Sequence, residues 1–191
     1  MEFVFPIYDK KIMNDIYTYL QNKKLFGVMK NRDYIMTRVG CNFGLRISDI
    51  LDLEVNDFKN KKYLKLKEKK LKNKRNNKTR IMKINDGMRQ IIDDYITENN
   101  IKKYLFTGRC SDKPITRKQA WKIIKDVEKK FNLTNLGTHS LKKTYGYNFL
   151  SKYKDLEMLQ SIFNHSETED TLRYIGITQE KMDYYMDDFF I

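Results

Sequence analysis

Both histidines of the chain lie in its last third, each inside a short polar cluster, and a tyrosine follows them: Thr138-His139-Ser140-Leu141-Lys142, then Asn164-His165-Ser166, then Arg173-Tyr174. Clusters of this kind supply cations, hydrogen-bond donors and a phenolic nucleophile, and together they can surround a phosphate. Upstream, Gly44-Leu45-Arg46-Ile47-Ser48-Asp49 sets one arginine inside a run that otherwise reads as a buried helix. An unpaired guanidinium there is expensive. Arg46 therefore needs an anion, either Asp49 three residues on, at a common helical ion-pair spacing, or a bound phosphate. The set amounts to the inventory for phosphoryl transfer without a metal ion. Cys41 and Cys110 are too few and too isolated for a metal site or a disulfide framework, and read as reduced thiols.

Each residue alone has a plainer reading. Tyr174 is one of thirteen tyrosines, most of which must serve packing. His139 can satisfy a helix start and His165 can be a polar residue at a helix end. What sets them apart is their order and spacing.

The elements that must position these residues are mostly helical. Asp9 to Lys23 carries Ile12, Ile16, Tyr19 and Leu20 at helical spacing, and Asp33 to Leu53 continues the pattern with breaks expected at Gly40 and Gly44. Segments 63–67 and 80–84 alternate in the manner of strands and predict a two-stranded antiparallel unit with a long basic connection. A helix is predicted over Gly87 to Asn99, capped by Asn85 or Asp86, and Ser111 to Pro114 reads as a turn. Thr116 caps a predicted helix to Phe131, with Ala120, Trp121, Ile124, Val127 and Phe131 on its inner face. Gly137-Thr138 opens a helix running to Leu150, which sets His139 and Lys142 three residues apart so that they can face one site. A short helix from Leu156 to Asn164 delivers His165. Met182, Tyr185, Met186 and Phe189 form one face of a C-terminal helix that suits packing on its own domain or on a neighbouring copy. The expected fold class is α+β, mainly helical with a small antiparallel β-sheet, in one domain over residues 1–191.

Charge points to the partner. Of a net charge of +13, residues 59–83 carry thirteen Lys or Arg against the single acid Glu68, whereas residues 167–191 hold seven acids and two basic residues. A basic run fixed between two strands forms a patch that can follow a phosphate backbone, so double-stranded DNA is the expected partner. No apolar run approaches the roughly 18 residues of a membrane span. The start, Met1 to Pro6, lacks the features of a secretory signal, and the expected location is the cytoplasm.

The order Arg46, His139-x-x-Lys142, His165, Tyr174, with nine residues from His165 to Tyr174, resembles the catalytic signature of the tyrosine recombinases, or phage integrase family, over nearly the whole chain. The resemblance implies a fold like that family's catalytic domain. It implies site-specific cutting and rejoining of DNA through a 3′-phosphotyrosyl intermediate, with Tyr174 as nucleophile and no cofactor or metal. Arg46 would fork onto the scissile phosphate with Asp49 in support, His139 would act as acid/base, and His165 would donate to a non-bridging oxygen. Lys70, near the end of the first strand, would be the general acid, with Lys69 or Lys72 as substitutes. Lys69, Lys72, Lys74, Arg75 and Lys78 would line the DNA. The C-terminal segment, 178–191, would be exchanged between protomers of a cyclic tetramer on DNA.

Two departures stand out. Lys142 occupies the position where the family has its second phosphate-binding arginine, so a planar fork becomes a point charge. The N-terminal core-binding domain of full recombinases is not expected here, which fits a compact single-domain recombinase, a fragment, or a regulator that reuses the fold, with an accessory protein as a candidate source of DNA clamping. The leading alternative is therefore a weakened or inactive DNA-binding regulator on the same fold. A ribosome- or RNA-associated protein would explain the charge but leave the residue order to chance.

Overall fold

The computed structural model describes residues 4–23, 29–67, 79–108, 112–163, 171–172, 175–176 and 186–187. Its centre is helix α2 (Arg32–Phe43), buried on nearly every side, as a helix must be when other helices surround it. Helix α1 (Lys10–Asn22), the short α3 (Ile47–Leu51), α4 (Asp86–Glu98) and α6 (Thr138–Tyr153) all pack against it. Helix α5 (Arg117–Lys130) closes the far side against α3 and α6, and α7 (Leu156–Phe163) returns along α6.

Local chemistry sets the helix starts. Asp9 accepts from the Lys11 and Ile12 amides at 2.6 and 3.3 Å, and Asn85 accepts from the Met88 amide at 2.9 Å. Thr116 and Gln119 cap each other's backbone at the start of α5. Helix α1 buries Met13, Ile16, Tyr17 and Leu20, the i, i+3, i+4, i+7 stripe of an amphipathic helix, with Ile12 and Tyr19 at its edge. Lys23 and Tyr19 of this stretch bond to Asp126 of α5, the tyrosine at 3.1 Å.

Strands β1 (Tyr63–Lys67) and β2 (Thr79–Lys83) pair antiparallel, with Leu64 opposite Met82 and Leu66 opposite Arg80 on the inner face. The outer face shows Tyr63, Lys65, Ile81 and Lys83 to solvent. Among the described residues these two strands are the whole sheet. Their connection lies outside the described residues.

Four expectations need correction. Helix α2 runs through Gly40, because a side chain there would come within 2.7 Å of Leu141; the glycine is a contact point with α6 and breaks nothing. Helix α6 extends to Tyr153, beyond Leu150. Strand β2 begins one residue early, at Thr79. Trp121 is 44% exposed, because the buried stripe of α5 is Ala120, Ile123, Ile124 and Val127, which turns position 121 toward Lys118, Lys122 and Lys125; the Lys125 Nζ lies 5.7 Å from its ring. Of the predicted C-terminal helix only residues 186 and 187 are described, and Met186 is exposed. The described residues contain no helix long and apolar enough to cross a membrane.

Candidate active site

Arg46 sits in the turn between α2 and α3, at the head of α3. The turn exists because Gly44 adopts a left-handed conformation (φ 57°), its amide closing α2 onto the Gly40 carbonyl at 3.0 Å. A Cβ on Gly44 would lie 2.5 Å from the Tyr145 ring of α6, so close approach and backbone both require glycine. The Arg46 carbonyl then receives the Asp49 and Ile50 amides at 2.9 and 3.0 Å, which starts α3. Arg46 is half-buried between buried Leu45 and Ile47, and Asp49 is buried with Ser48 Oγ donating to its Oδ1 at 3.3 Å. The sequence suggested an arginine inside a helix. The observed turn explains how its guanidinium escapes full burial.

Helix α6 begins as its sequence predicts, with Ser140 bonded to Gly137 through both its amide (2.9 Å) and its hydroxyl (3.1 Å). His139 and Lys142 both fall in the first turns, but they differ in environment. His139 is exposed, whereas Lys142 is 1% exposed with its Nζ 4.3 Å from the centre of the Phe163 ring. Lys142, Tyr145, Gly146 and Phe149 form one stripe of α6. Tyr145 and Phe149 pack with Leu159, Phe163 and Ile175 in a small second core. A Cβ on Gly146 would come within 2.6 Å of Ile175 and 2.8 Å of Phe163.

Phe163 and Ile175 are therefore seated on α6 beside Lys142. They are the chain neighbours of the two segments that hold His165 and Tyr174. Those two residues, with Lys69, Lys70, Lys72, Lys74, Arg75 and Lys78 of the hairpin, lie outside the described residues. What the structure brings together is the Gly44–Arg46 turn, the Lys142 stripe and the two anchors flanking His165 and Tyr174.

The next lysine has another task. Lys143 is buried and donates to the Val4 carbonyl at 2.7 Å, and burial pushes its ammonium below the ordinary lysine range. With Ile7 N bonded to Thr144 Oγ1 at 2.8 Å, it holds the N-terminal segment along α6. Burial also pushes the Cys41 thiol up to about 12, which makes it a poor nucleophile.

Sequence reasoning missed Arg80. Its Nη2 donates to the Phe43 carbonyl at 2.6 Å and its Nη1 to the Gly44 carbonyl at 3.2 Å, directly upstream of Arg46. The available signal was parity: Arg80 shares its strand face with Met82, so it points inward where an apolar residue belongs.

Comparison with known proteins follows the same lines. Residues 8–181 match the model of the Phage integrase family. YoeC, a probable integrase/recombinase of Bacillus subtilis (strain 168), is 38% identical over 180 residues, covering 94% of this chain and 93% of YoeC. Tyrosine recombinase XerD of Staphylococcus saprophyticus is 25% identical over 190 residues, and the match covers 93% of this chain but 62% of XerD. The fold is that of the XerH site-specific recombinase bound to difH substrate in a post-cleavage complex (TM-score 0.72, 14% identity), with 95% of this chain and 52% of that one aligned. The catalytic domain of bacteriophage HP1 integrase shares it too, at TM-score 0.60 and 16% identity, over 90% of this chain and 87% of that domain. The chain belongs to the phage integrase family, the tyrosine recombinases.

Proposed function

We propose that this protein is a site-specific DNA recombinase that cuts and rejoins double-stranded DNA through a 3′-phosphotyrosyl intermediate on Tyr174. The observation that carries the reading is the convergence on one stripe of α6: Lys142, the Gly44–Arg46 turn against Tyr145, and Phe163 and Ile175, which flank the His165 and Tyr174 segments. Arg46 forks onto the scissile phosphate, with Asp49 supporting its turn. His139, exposed at the start of α6, exchanges protons and orients the phosphate, and His165 donates to a non-bridging oxygen as charge develops.

As the Tyr174 hydroxyl attacks phosphorus its proton passes to His139, the phosphorus–5′-oxygen bond breaks, and Lys70 gives a proton to the leaving oxygen. A phenol of pKa about 10 needs this cationic surrounding to react at neutral pH. The phosphotyrosyl bond keeps the energy of the phosphodiester, so rejoining needs no nucleotide. Lys69, Lys72, Lys74, Arg75 and Lys78 follow the DNA backbone, a role supported by the charge of the run and by the exposure of Lys59, Lys61, Lys62, Lys65 and Lys83 on either side of it in sequence. The 178–191 segment docks on a neighbouring copy in a cyclic tetramer on DNA.

A nicked suicide DNA substrate tests the proposal: wild type becomes covalently attached and Tyr174→Phe does not. The regulator reading is favoured by one observation, the lysine at position 142 in place of an arginine. It prevails if wild type and Tyr174→Phe bind DNA equally and neither forms the adduct.

A further inference from the structure

We propose that Arg80 is a positioning residue for Arg46, holding the turn from which Arg46 reaches the DNA phosphate; this rests on the reading of Arg46 as a phosphate ligand. Strand β2 places Arg80 on the inner face of the hairpin, opposite Leu66, where a cation is costly unless it is bonded. Its two terminal nitrogens bridge the Phe43 and Gly44 carbonyls at 2.6 and 3.2 Å. These carbonyls end α2, where acceptors are left over and the helix dipole is negative, so a guanidinium suits them on both counts.

The turn is gripped from two sides. The Tyr145 ring fills the space against Gly44, and Arg80 is close enough for its charge to act on the Tyr145 hydroxyl, whose pKa burial raises and Arg80 lowers. Leu45 is buried between, and two residues beyond Gly44 the Arg46 carbonyl opens α3. Arg80 thus fixes the path of the chain that aims Arg46. A planar fork spanning adjacent carbonyls is something lysine cannot reproduce.

The test uses the full chain with Arg80→Gln and Arg80→Lys, on suicide substrates carrying either the natural phosphate or an uncharged methylphosphonate at the cut. On the natural phosphate Arg80→Gln slows adduct formation by about 10- to 100-fold, the loss of one charge-assisted contact at the phosphate, and Arg80→Lys falls between it and wild type. DNA affinity stays within about twofold, because the misaimed Arg46 is missed mainly as charge develops in the transition state, while the contacts along the rest of the DNA backbone are kept. On the methylphosphonate the penalty shrinks below about threefold, since Arg46 has no full charge there to neutralise.

Hydrogen exchange at the Asp49 and Ile50 amides, which bond to Arg46, quickens in both variants, while thermal melting shows that each still folds. Unchanged exchange, an unslowed Arg80→Gln, or equal slowing on both substrates overturns the proposal. If wild type forms no adduct the recombinase reading fails, and the exchange measurement still decides whether Arg80 holds the turn.

Discussion

Gly146 of α6 lies against Ile175: a Cβ on the glycine would stand 2.6 Å from the isoleucine Cγ2. The residue next to Tyr174 in sequence is thereby seated four positions along the helix from Lys142. Bulk at this glycine should unseat it. Gly146→Val pushes on both Ile175 and Phe163, so it should cost about 1–3 kcal/mol of stability. For a chain of this size that is a melting shift of very roughly 2–10 °C. Adduct formation should fall further than stability does, because the anchor beside the nucleophile has moved. Calorimetry and the suicide-substrate assay check the two parts separately, and wild-type behaviour in both would show that the contact matters to neither.

On the proposed reading, Lys142 places a point charge where the resemblance to the family implies an arginine. Lys142→Arg should raise the rate of adduct formation about 30- to 150-fold, the value of one charge-assisted bond of about 2–3 kcal/mol. Lys142→Met, which keeps the packing against Phe163, should lower the rate with little change in DNA affinity. A rate unmoved by arginine would mean that the lysine already does all this position can do.

The basic hairpin should carry the salt dependence of binding. Each phosphate contact contributes about 0.9 to the slope of log affinity against log salt, so neutralising Lys72, Lys74 and Arg75 together should flatten it by about 2.7. An unaltered slope would remove these residues from the DNA interface.

The bond of Asp126 with Lys23 ties α1 to α5 and should appear in the pH dependence of stability. The hydrogen bond and charge of Lys23 hold the Asp126 carboxyl below its ordinary 3.8; on Lys23, burial opposes the charge, but Asp126 outweighs it and raises the ammonium above 10.5. The contribution is thus present across neutral pH. It fades as pH falls through the depressed carboxyl value, and again as pH rises through the raised lysine value. Asp126→Asn should cost under about 1 kcal/mol at pH 7, the range of an exposed pair, and the difference from wild type should vanish in strong acid. A difference that persists there would point to packing as its source.

The helices were legible where period and cap agreed, as at Asn85 and Thr116, because capping is a local matter. Trp121 was misread because it adjoins Ala120 and stands three residues before Ile124, at helical spacing from a stripe that Ile123 completes on the other side. Gly40 looked like a breaker because the close approach of Leu141, which explains it, lies about a hundred residues away in sequence. The motif residues were proposed from order and spacing. Arg80 went unnoticed because its partners are backbone carbonyls, which no sequence displays.

The most direct measurement is to map the covalent adduct. After reaction with a nicked substrate and nuclease digestion, mass spectrometry should find a nucleotide 3′-linked to the peptide containing Tyr174, with none in Tyr174→Phe. An adduct on another residue, or none from wild-type protein that binds the DNA, would contradict the account.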